Sequence, residues 1–316
     1  FLDRPASAST EVQPYAYYGL GYVMFQQKKY AEAGEQFNSF TTKAAQGRYE
    51  ERMVHDAYLR LGDCYFMTKQ LNDAVKAYAY VSGKNGADAD YALFQSGLIY
   101  GLIEKSEEKV SAMKRLIQEF PNSRFVVDAY FEAAEEYTVM GRTTDAERYY
   151  TEILQKYPTN PRANRAYSTL GRIYYNSKKM TSAVDIYTKL YDNYPGTPEA
   201  KVANDMVKKI YAEQGDAKQY VRWKKDRGGI SNEDQDSLMY EVGYNAYEKA
   251  DYAIAQKGFE SYLQEFPKGG FYLLAHYYLA QTFEELKNKT AAIEHYSVVA
   301  LANSGDLKED AALAVL

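Results

Sequence analysis

Residues 168–195 read STLGRIYYNSKKMTSAVDIYTKLYDNYP. In this stretch Gly171 is followed three positions on by Tyr174, Ala183 four positions on by Tyr187, and Pro195 closes the unit. Each residue type has a physical reason to be there if the stretch forms two helices packed as a hairpin. Glycine removes the Cβ that would hold the second helix away, and Ala183 is its small counterpart across the contact. The aromatic side chains fill the space between one hairpin and the next. Proline lacks an N–H and disfavours helix in the residue before it, so it ends the second helix and fixes the turn beyond.

The same pattern recurs in both directions. Upstream it reads Ala134, Tyr137, Ala146, Tyr150, Pro158; then Gly97, Tyr100, Met113, Pro121, with Lys109 where alanine is expected. Further upstream come Gly62, Tyr65, Ala74, Tyr78 and Gly21, Met24, Ala33, Phe37. Downstream, two periods on, it reads Gly243, Ala246, Ala255, Phe259, Pro267, and then Ala280, Phe283, Ala292, Tyr296. A period of roughly 37 residues is the signature of a stacked helical array. Asn72, Thr144, Thr181 and Thr290 stand just before the expected second helices, where a side-chain oxygen can cap free N–H groups. Thr197-Pro198 reads as a cap followed by proline at the first helical position.

The segments LRLGDCYFMTKQLNDAVKAY at 59–78 and YLAQTFEELKNKTAAIEHY at 278–296, with the stretch quoted first, resemble tetratricopeptide (TPR) repeats. That resemblance implies an all-α, right-handed α-solenoid of helix-turn-helix repeats with a concave face, and a scaffold or adaptor role in which that face binds a protein or peptide partner. The longer period, with FPNSRFVVDAYFEAAEEY and YPGTPEAKVA between units, resembles a bacterial cell-envelope subgroup that includes the TPR lipoprotein of the outer-membrane β-barrel assembly machinery. A periplasmic or outer-membrane-associated location follows as an expectation. Some relatives hold acidic chain termini with a Lys/Asn/Arg clamp; the corresponding positions of the first copy are Tyr18 and Tyr22, so the clamp is absent there.

The pattern breaks between Pro198 and Asp226. Helices EAKVANDMVKKIYAEQ and AKQYVRWKKD are separated by Gly215-Asp216, and RGGISN follows. Two glycines with polar flanks read as a loop. The expected organisation is an N-terminal array over 1–226, a loop or joint at 227–236 and a C-terminal array over 237–316. Trp223 beside the joint reads as a packing residue. The chain starts FLDRPAS and ends DLKEDAALAVL, which reads as a segment of a longer protein whose repeats continue. Ala311, Ala312, Leu313, Val315 and Leu316 would then lack a covering helix and give self-association through that end.

Composition narrows the chemistry. Net charge is −5 and the pI is about 5.5, against the basic face that nucleic-acid binding needs, so no nucleic-acid partner is expected. There are 34 tyrosines and 8 prolines, which suits long helices and half-wet contacts. The single cysteine, Cys64, lies in an apolar helical pattern and reads as a small buried hydrophobe. His55, His276 and His295 lack metal-ligand spacing, and the latter two read as helix-face residues. Phosphate-loop and nucleophile-elbow patterns do not occur. We therefore expect no enzyme activity, no catalytic residue, no metal and no cofactor.

One constellation stands out. Tyr18, Tyr22 and Phe25 lie at i, i+4 and i+7 of one first helix, and Tyr240, Tyr244 and Tyr247 repeat that spacing in another. Each set forms one stripe. Two readings stay open: packing between neighbouring first helices, or a surface that binds peptide or glycan. An RNA-binding helical repeat is a third reading, which the acidic balance opposes.

Overall fold

The computed structural model describes residues 6–84, 86, 88–302 and 307–315; the N-terminal five residues and Leu316 lie outside them. Among the described residues there are 17 α-helices and no strand. The chain falls into two compact units, Phe1–Ala166 and Tyr167–Leu316.

The first unit holds α1 (Ala6–Gln26), α2 (Tyr30–Ala44), α3 (Glu51–Met67), α4 (Leu71–Ser82), α5 (Ala89–Leu102), α6 (Ser106–Glu119), α7 (Val126–Val139) and α8 (Thr143–Lys156). Its border with the second falls inside α9 (Ala163–Asn176). The second unit continues with α10 (Met180–Asn193), α11 (Pro198–Glu213), α12 (Ala217–Lys225), α13 (Asn232–Glu248), α14 (Tyr252–Glu265), α15 (Tyr272–Glu285), α16 (Lys289–Ala300) and α17 (Lys308–Val315). Odd-numbered helices up to α15 are the first helices of hairpins, and the even-numbered ones are the second. From α1 to α8 and from α10 to α17, each helix packs on the next. This is the all-α solenoid order that the repeat requires. None of the described helices is long and apolar enough to cross a membrane.

The recurring small residue acts as the sequence suggests. A Cβ added to Gly62 would stand 2.7 Å from the Tyr78 ring, and one added to Gly171 would stand 2.7 Å from Tyr187. Phe37, Tyr78, Tyr150, Tyr187 and Phe259, the aromatics of the second helices, are fully or almost fully buried, as are Ala33, Ala74, Ala146, Ala183 and Ala255. Each buried ring contributes about 1.5–3 kcal/mol by leaving water. Lys109, the exception to the alanine rule, is also buried. Its Nζ lies 3.0 Å from Glu132 and 3.1 Å from Glu136, both on α7. Burial opposes the lysine charge, but the two carboxylates outweigh it and raise the pKa.

The caps differ from expectation. The turn within each hairpin contains one residue with positive φ, such as Lys69, Lys178 or Ala250, or Gly141 where the residue is glycine. The chain leaves that turn directly into the helix, so α4, α8 and α10 begin after Gln70, Arg142 and Lys179, which make no side-chain cap. Asn72, Thr144, Thr181 and Thr290 therefore lie inside the first turn instead of capping it. Side-chain caps are made by Asp251, Asn288 and Thr197, each one position before its helix, whereas Asp88 and Asp216 in the same position make none. Thr197 and Pro198 behave as read, with Oγ1 accepting from the Ala200 N–H at 3.1 Å.

The segment 227–236 also differs. The polar run after Ser231 is helical because Ser231 Oγ accepts from the Asp234 N–H at 3.0 Å and starts α13 at Asn232. The whole segment lies inside the second unit, so the units do not part there. The flanking hairpins are tied across it: Lys257 Nζ donates to the Gln214 carbonyl and Lys218 Nζ to Gln264 Oε1, each at 2.8 Å. Arg227 grips Asp192 at 2.8 and 3.0 Å and lies over the Trp223 ring. Trp223 is buried, with its indole N–H donating to Thr188 Oγ1 at 2.8 Å, and so serves packing. At α17, Ala311 is buried while Leu313 is 70 % exposed.

Candidate functional site

The first stripe faces a neighbouring helix. Tyr18, Tyr22 and Phe25 are half-buried against the core formed by α2 and α3. The Tyr22 ring meets Phe37 edge-on at 5.4 Å, and Tyr18 lies 5.3 Å from Phe40. Tyr18 Oη donates to Asp56 Oδ2 at 2.7 Å, and Tyr22 Oη donates to the same oxygen. Phe25 packs on Tyr30 and lies 5.9 Å beneath the Arg60 guanidinium. Burial, then the hydrogen bond to Asp56, pushes both phenol pKa values up, so the hydroxyls stay protonated donors.

The network runs on along α3. Arg60, one turn past Asp56, donates to Asp63 Oδ2 at 2.5 Å. The other Asp63 oxygen accepts from Tyr78 at 2.7 Å and from Tyr91 at 2.8 Å. Asp56, Arg60 and Asp63 stand at i, i+4 and i+7, the spacing of the tyrosine stripe, and share one helix face. Aromatic periodicity does not pick these residues out; charge periodicity in the same register is the signal that does.

The second stripe lies deeper. Tyr240 is buried and stacked on Phe271 at 4.6 Å, so it is not placed to meet a partner. Tyr244 meets Tyr278 edge-on at 5.0 Å, and Tyr247 Oη donates to Gln281 Oε1 at 2.8 Å. Both are half-buried between α13 and α15. The physical reason is common to both stripes: in a stack of hairpins, this face of one first helix meets the next first helix.

Beside the Asp63 network a pocket of about 540 Å³ opens in the first unit, bounded by Arg60, Tyr91, Asp88, Asp90, Ser123 and Arg124. Ser123 Oγ donates to Asp90 Oδ2 at 2.5 Å and holds the α6–α7 loop against α5. Arg124 is exposed, with its guanidinium 4.6 Å from the Phe125 ring, which stacks on Phe94. Among the described residues, neither Arg124 nor Asp88 has an ion-pair partner.

The remaining candidates divide. Cys64 is buried and its thiol pKa is pushed up to about 12 by burial, in keeping with a packing role. His276 and His295 are brought together, contrary to the reading of separate helix-face residues: their Nδ1 atoms are 2.7 Å apart, with His276 buried. Helices α15 and α16 pack so that the two side chains point into the same interhelical space. Among the described residues no group of three or more metal-ligating side chains forms.

Comparison with known proteins agrees with this architecture. Tetratricopeptide repeat family models match residues 56–82, 91–123, 131–198 and 240–312, together more than half of the chain. The chain belongs to the tetratricopeptide repeat family. No curated protein sequence matches it. Among solved structures, a chain from Naa15/Naa10 bound to HypK-THB superposes with TM-score 0.50 at 13% identity, over 96% of this chain and 46% of that one. A tetratricopeptide repeat protein from Parabacteroides merdae ATCC 43184 gives 0.48 at 15% identity, over 86% and 99%. The MamA protein gives 0.47 at 18% identity, over 58% and 97%. At these identities the likeness concerns the fold.

Proposed function

We propose that this chain is a non-catalytic protein-binding scaffold or adaptor, working at a bacterial cell envelope. The observation that carries the binding reading is the open pocket in the first unit. Its wall is fixed by the Arg60–Asp63–Tyr91 network, while Arg124 and Asp88 offer charges of both signs that have no ion-pair partner among the described residues. A rigid wall loses little entropy on association, and unpaired charges at a rim select partners by complementarity. The envelope placement rests on the resemblance of the segments FPNSRFVVDAYFEAAEEY and YPGTPEAKVA to the cell-envelope subgroup. Tyr240, Tyr244 and Tyr247 have neighbours against their rings, which leaves less ring face for the sugar stacking that a glycan-binding module would use.

The test is affinity capture on the immobilised chain, with the eluate divided between peptidase and glycosidase treatment and then identified by mass spectrometry. Arg124→Glu, an exposed charge reversal, is the matched variant. A peptidase-sensitive partner that wild type captures and Arg124→Glu loses supports the reading. A glycosidase-sensitive ligand held equally by both would replace it with the glycan alternative.

A further inference from the structure

The α15–α16 hairpin carries a pair of residues unlike those at the same register elsewhere. His276 lies four positions before the small residue Ala280 of α15, and His295 three positions after Ala292 of α16. The corresponding pairs include Tyr58 and Ala77, Leu93 and Ala112, and Met239 and Gly258, and no other repeat of this pattern has a histidine at either place. In the repeat of α7 and α8 the pair is Tyr130 and Tyr149, whose ring centres are 5.7 Å apart, so this register does bring two side chains together across a hairpin. Packing here is served by rings, aliphatic groups and small residues. It does not call for two imidazoles.

The two imidazoles meet edge to edge. Their Nδ1 atoms are 2.7 Å apart and their ring centres 4.9 Å. That separation is the nitrogen gap plus one ring radius at each end, so the two nitrogens point at each other nearly along one line. His276 is buried and His295 half-buried, with Tyr272 edge-on to the first ring and Phe283 stacked on the second at 5.6 Å. Burial favours the neutral form of both rings, which is the form that ligates a metal. The exposed Glu294 and Glu260 act on His295 in the direction that favours positive charge.

This donor set selects the ion. Zinc takes four protein ligands in structural sites and three in catalytic ones, and among the described residues no group of three or more ligands forms. A divalent ion also costs about four times as much to bury as a monovalent one, because the Born energy grows with the square of the charge. Monovalent copper has a filled d shell and is satisfied by two nitrogens in line, and imidazole suits copper. We propose that His276 and His295 bind one Cu(I) ion between their Nδ1 atoms, as a two-coordinate clamp across the α15–α16 hairpin. Metal–nitrogen bonds are about 2 Å long, so the nitrogens part by about 1 Å on binding. The half-buried His295 makes that shift by sliding across the Phe283 face. The proton held by one Nδ1 leaves to solvent and another joins Nε2 of the same ring. Both rings then end as Nε2–H tautomers, and no proton is released overall. The site stands independently of the protein-binding reading.

The test uses the full chain without oxygen, titrated with Cu(I) against the competing chelator bicinchoninate. The expected result is one ion per chain, a raised melting temperature, and an X-ray absorption edge with the strong 1s→4p feature of two-coordinate Cu(I) and nitrogen neighbours only. Histidine 15N spectra should pass from one Nδ1–H and one Nε2–H ring to two Nε2–H rings. His295→Gln should weaken binding by about a hundredfold or more, since even outer-shell partners of a metal contribute about 10–100-fold. Cys64→Ala should bind as wild type does. If His295→Gln fails to fold, the wild-type absorption edge and tautomers decide. Absence of one-to-one binding, sulfur among the copper neighbours, affinity undiminished in His295→Gln, or Zn(II) held more tightly than Cu(I) overturns the site and leaves the pair as a hydrogen bond between two helices.

Discussion

The Tyr78 ring lies over Gly62 so closely that a Cβ on that glycine would stand 2.7 Å from Cε1. The ring cannot swing aside cheaply, because its hydroxyl donates to Asp63 at 2.7 Å and its side chain is buried. Helix propensity alone would favour Gly62→Ala by about 1 kcal/mol. Overpacking costs about 1–3 kcal/mol, so the variant should be less stable by about 1 kcal/mol in urea unfolding. Gly19 on α1 has nothing within 4 Å of the same added atom. Gly19→Ala should therefore be neutral or stabilising. Equal responses at the two sites would show that the ring does not constrain Gly62.

The His276–His295 pair should make the C-terminal hairpin acid-sensitive. One Nδ1–H donates to the other ring's Nδ1 lone pair, so the two rings hold opposite tautomers. Burial, then the neighbouring His295, lowers the His276 pKa to about 4, and burial lowers that of His295. Between that value and the ordinary 6.5 the unfolded chain binds more protons than the folded one. Stability is thus full above pH 6.5 and is lost as pH falls toward 4, by on the order of 2–3 kcal/mol for His276. The readout is the difference in unfolding free energy between wild type and His276→Leu across that range, which cancels the carboxylates common to both. A pH-independent difference would show that these imidazoles are not held neutral by burial.

Lys109 should be costly to remove even though it interrupts an alanine pattern. Lys109→Ala leaves Glu136, itself buried, with an uncompensated charge. Breaking such a pair costs about 3–5 kcal/mol, whereas replacing all its members can be close to neutral. We expect Lys109→Ala to lower the melting temperature sharply, and the triple variant with Glu132→Gln and Glu136→Gln to recover most of the loss. If the triple variant is no more stable than the single one, the carboxylates are not what the lysine serves.

The tyrosine stripes should report on stability. Tyr22→Ala removes a ring packed on Phe37 and a donor to Asp56. A loss of about 2–3 kcal/mol is expected for a half-buried aromatic, and Tyr22→Phe should lose about 1 kcal/mol. Partner capture by the folded fraction should be unchanged in both. Unchanged melting with lost capture would instead make Tyr22 a contact residue.

The fold was legible because the hairpin contact is written in residue size: Gly62 beneath Tyr78 and Gly171 beneath Tyr187 recur at one spacing. Turn chemistry was less legible. A positive φ at Lys69 or Lys178 costs little enough to be tolerated without glycine, so no sequence mark showed that the helix starts before Asn72 or Thr181. The six stripe residues were found as a periodicity, but their environment was not, since periodicity places residues on a face and cannot tell a neighbouring helix from water. His276 and His295 met because one hairpin brings two helices together across 19 residues of chain, a distance over which local spacing rules carry no information.

The buried Cys64 gives the chain a built-in reporter. Its thiolate is suppressed in the folded state, and thiol reagents attack the thiolate. In the native protein this sulfur is chemically silent, and it becomes reactive only when α2 and α3 separate. The rate of labelling by an aromatic disulfide reagent therefore measures the opening of the N-terminal hairpins separately from the rest of the array. A second cysteine placed on an exposed surface position can carry a fluorophore or spin label without first deleting the native one.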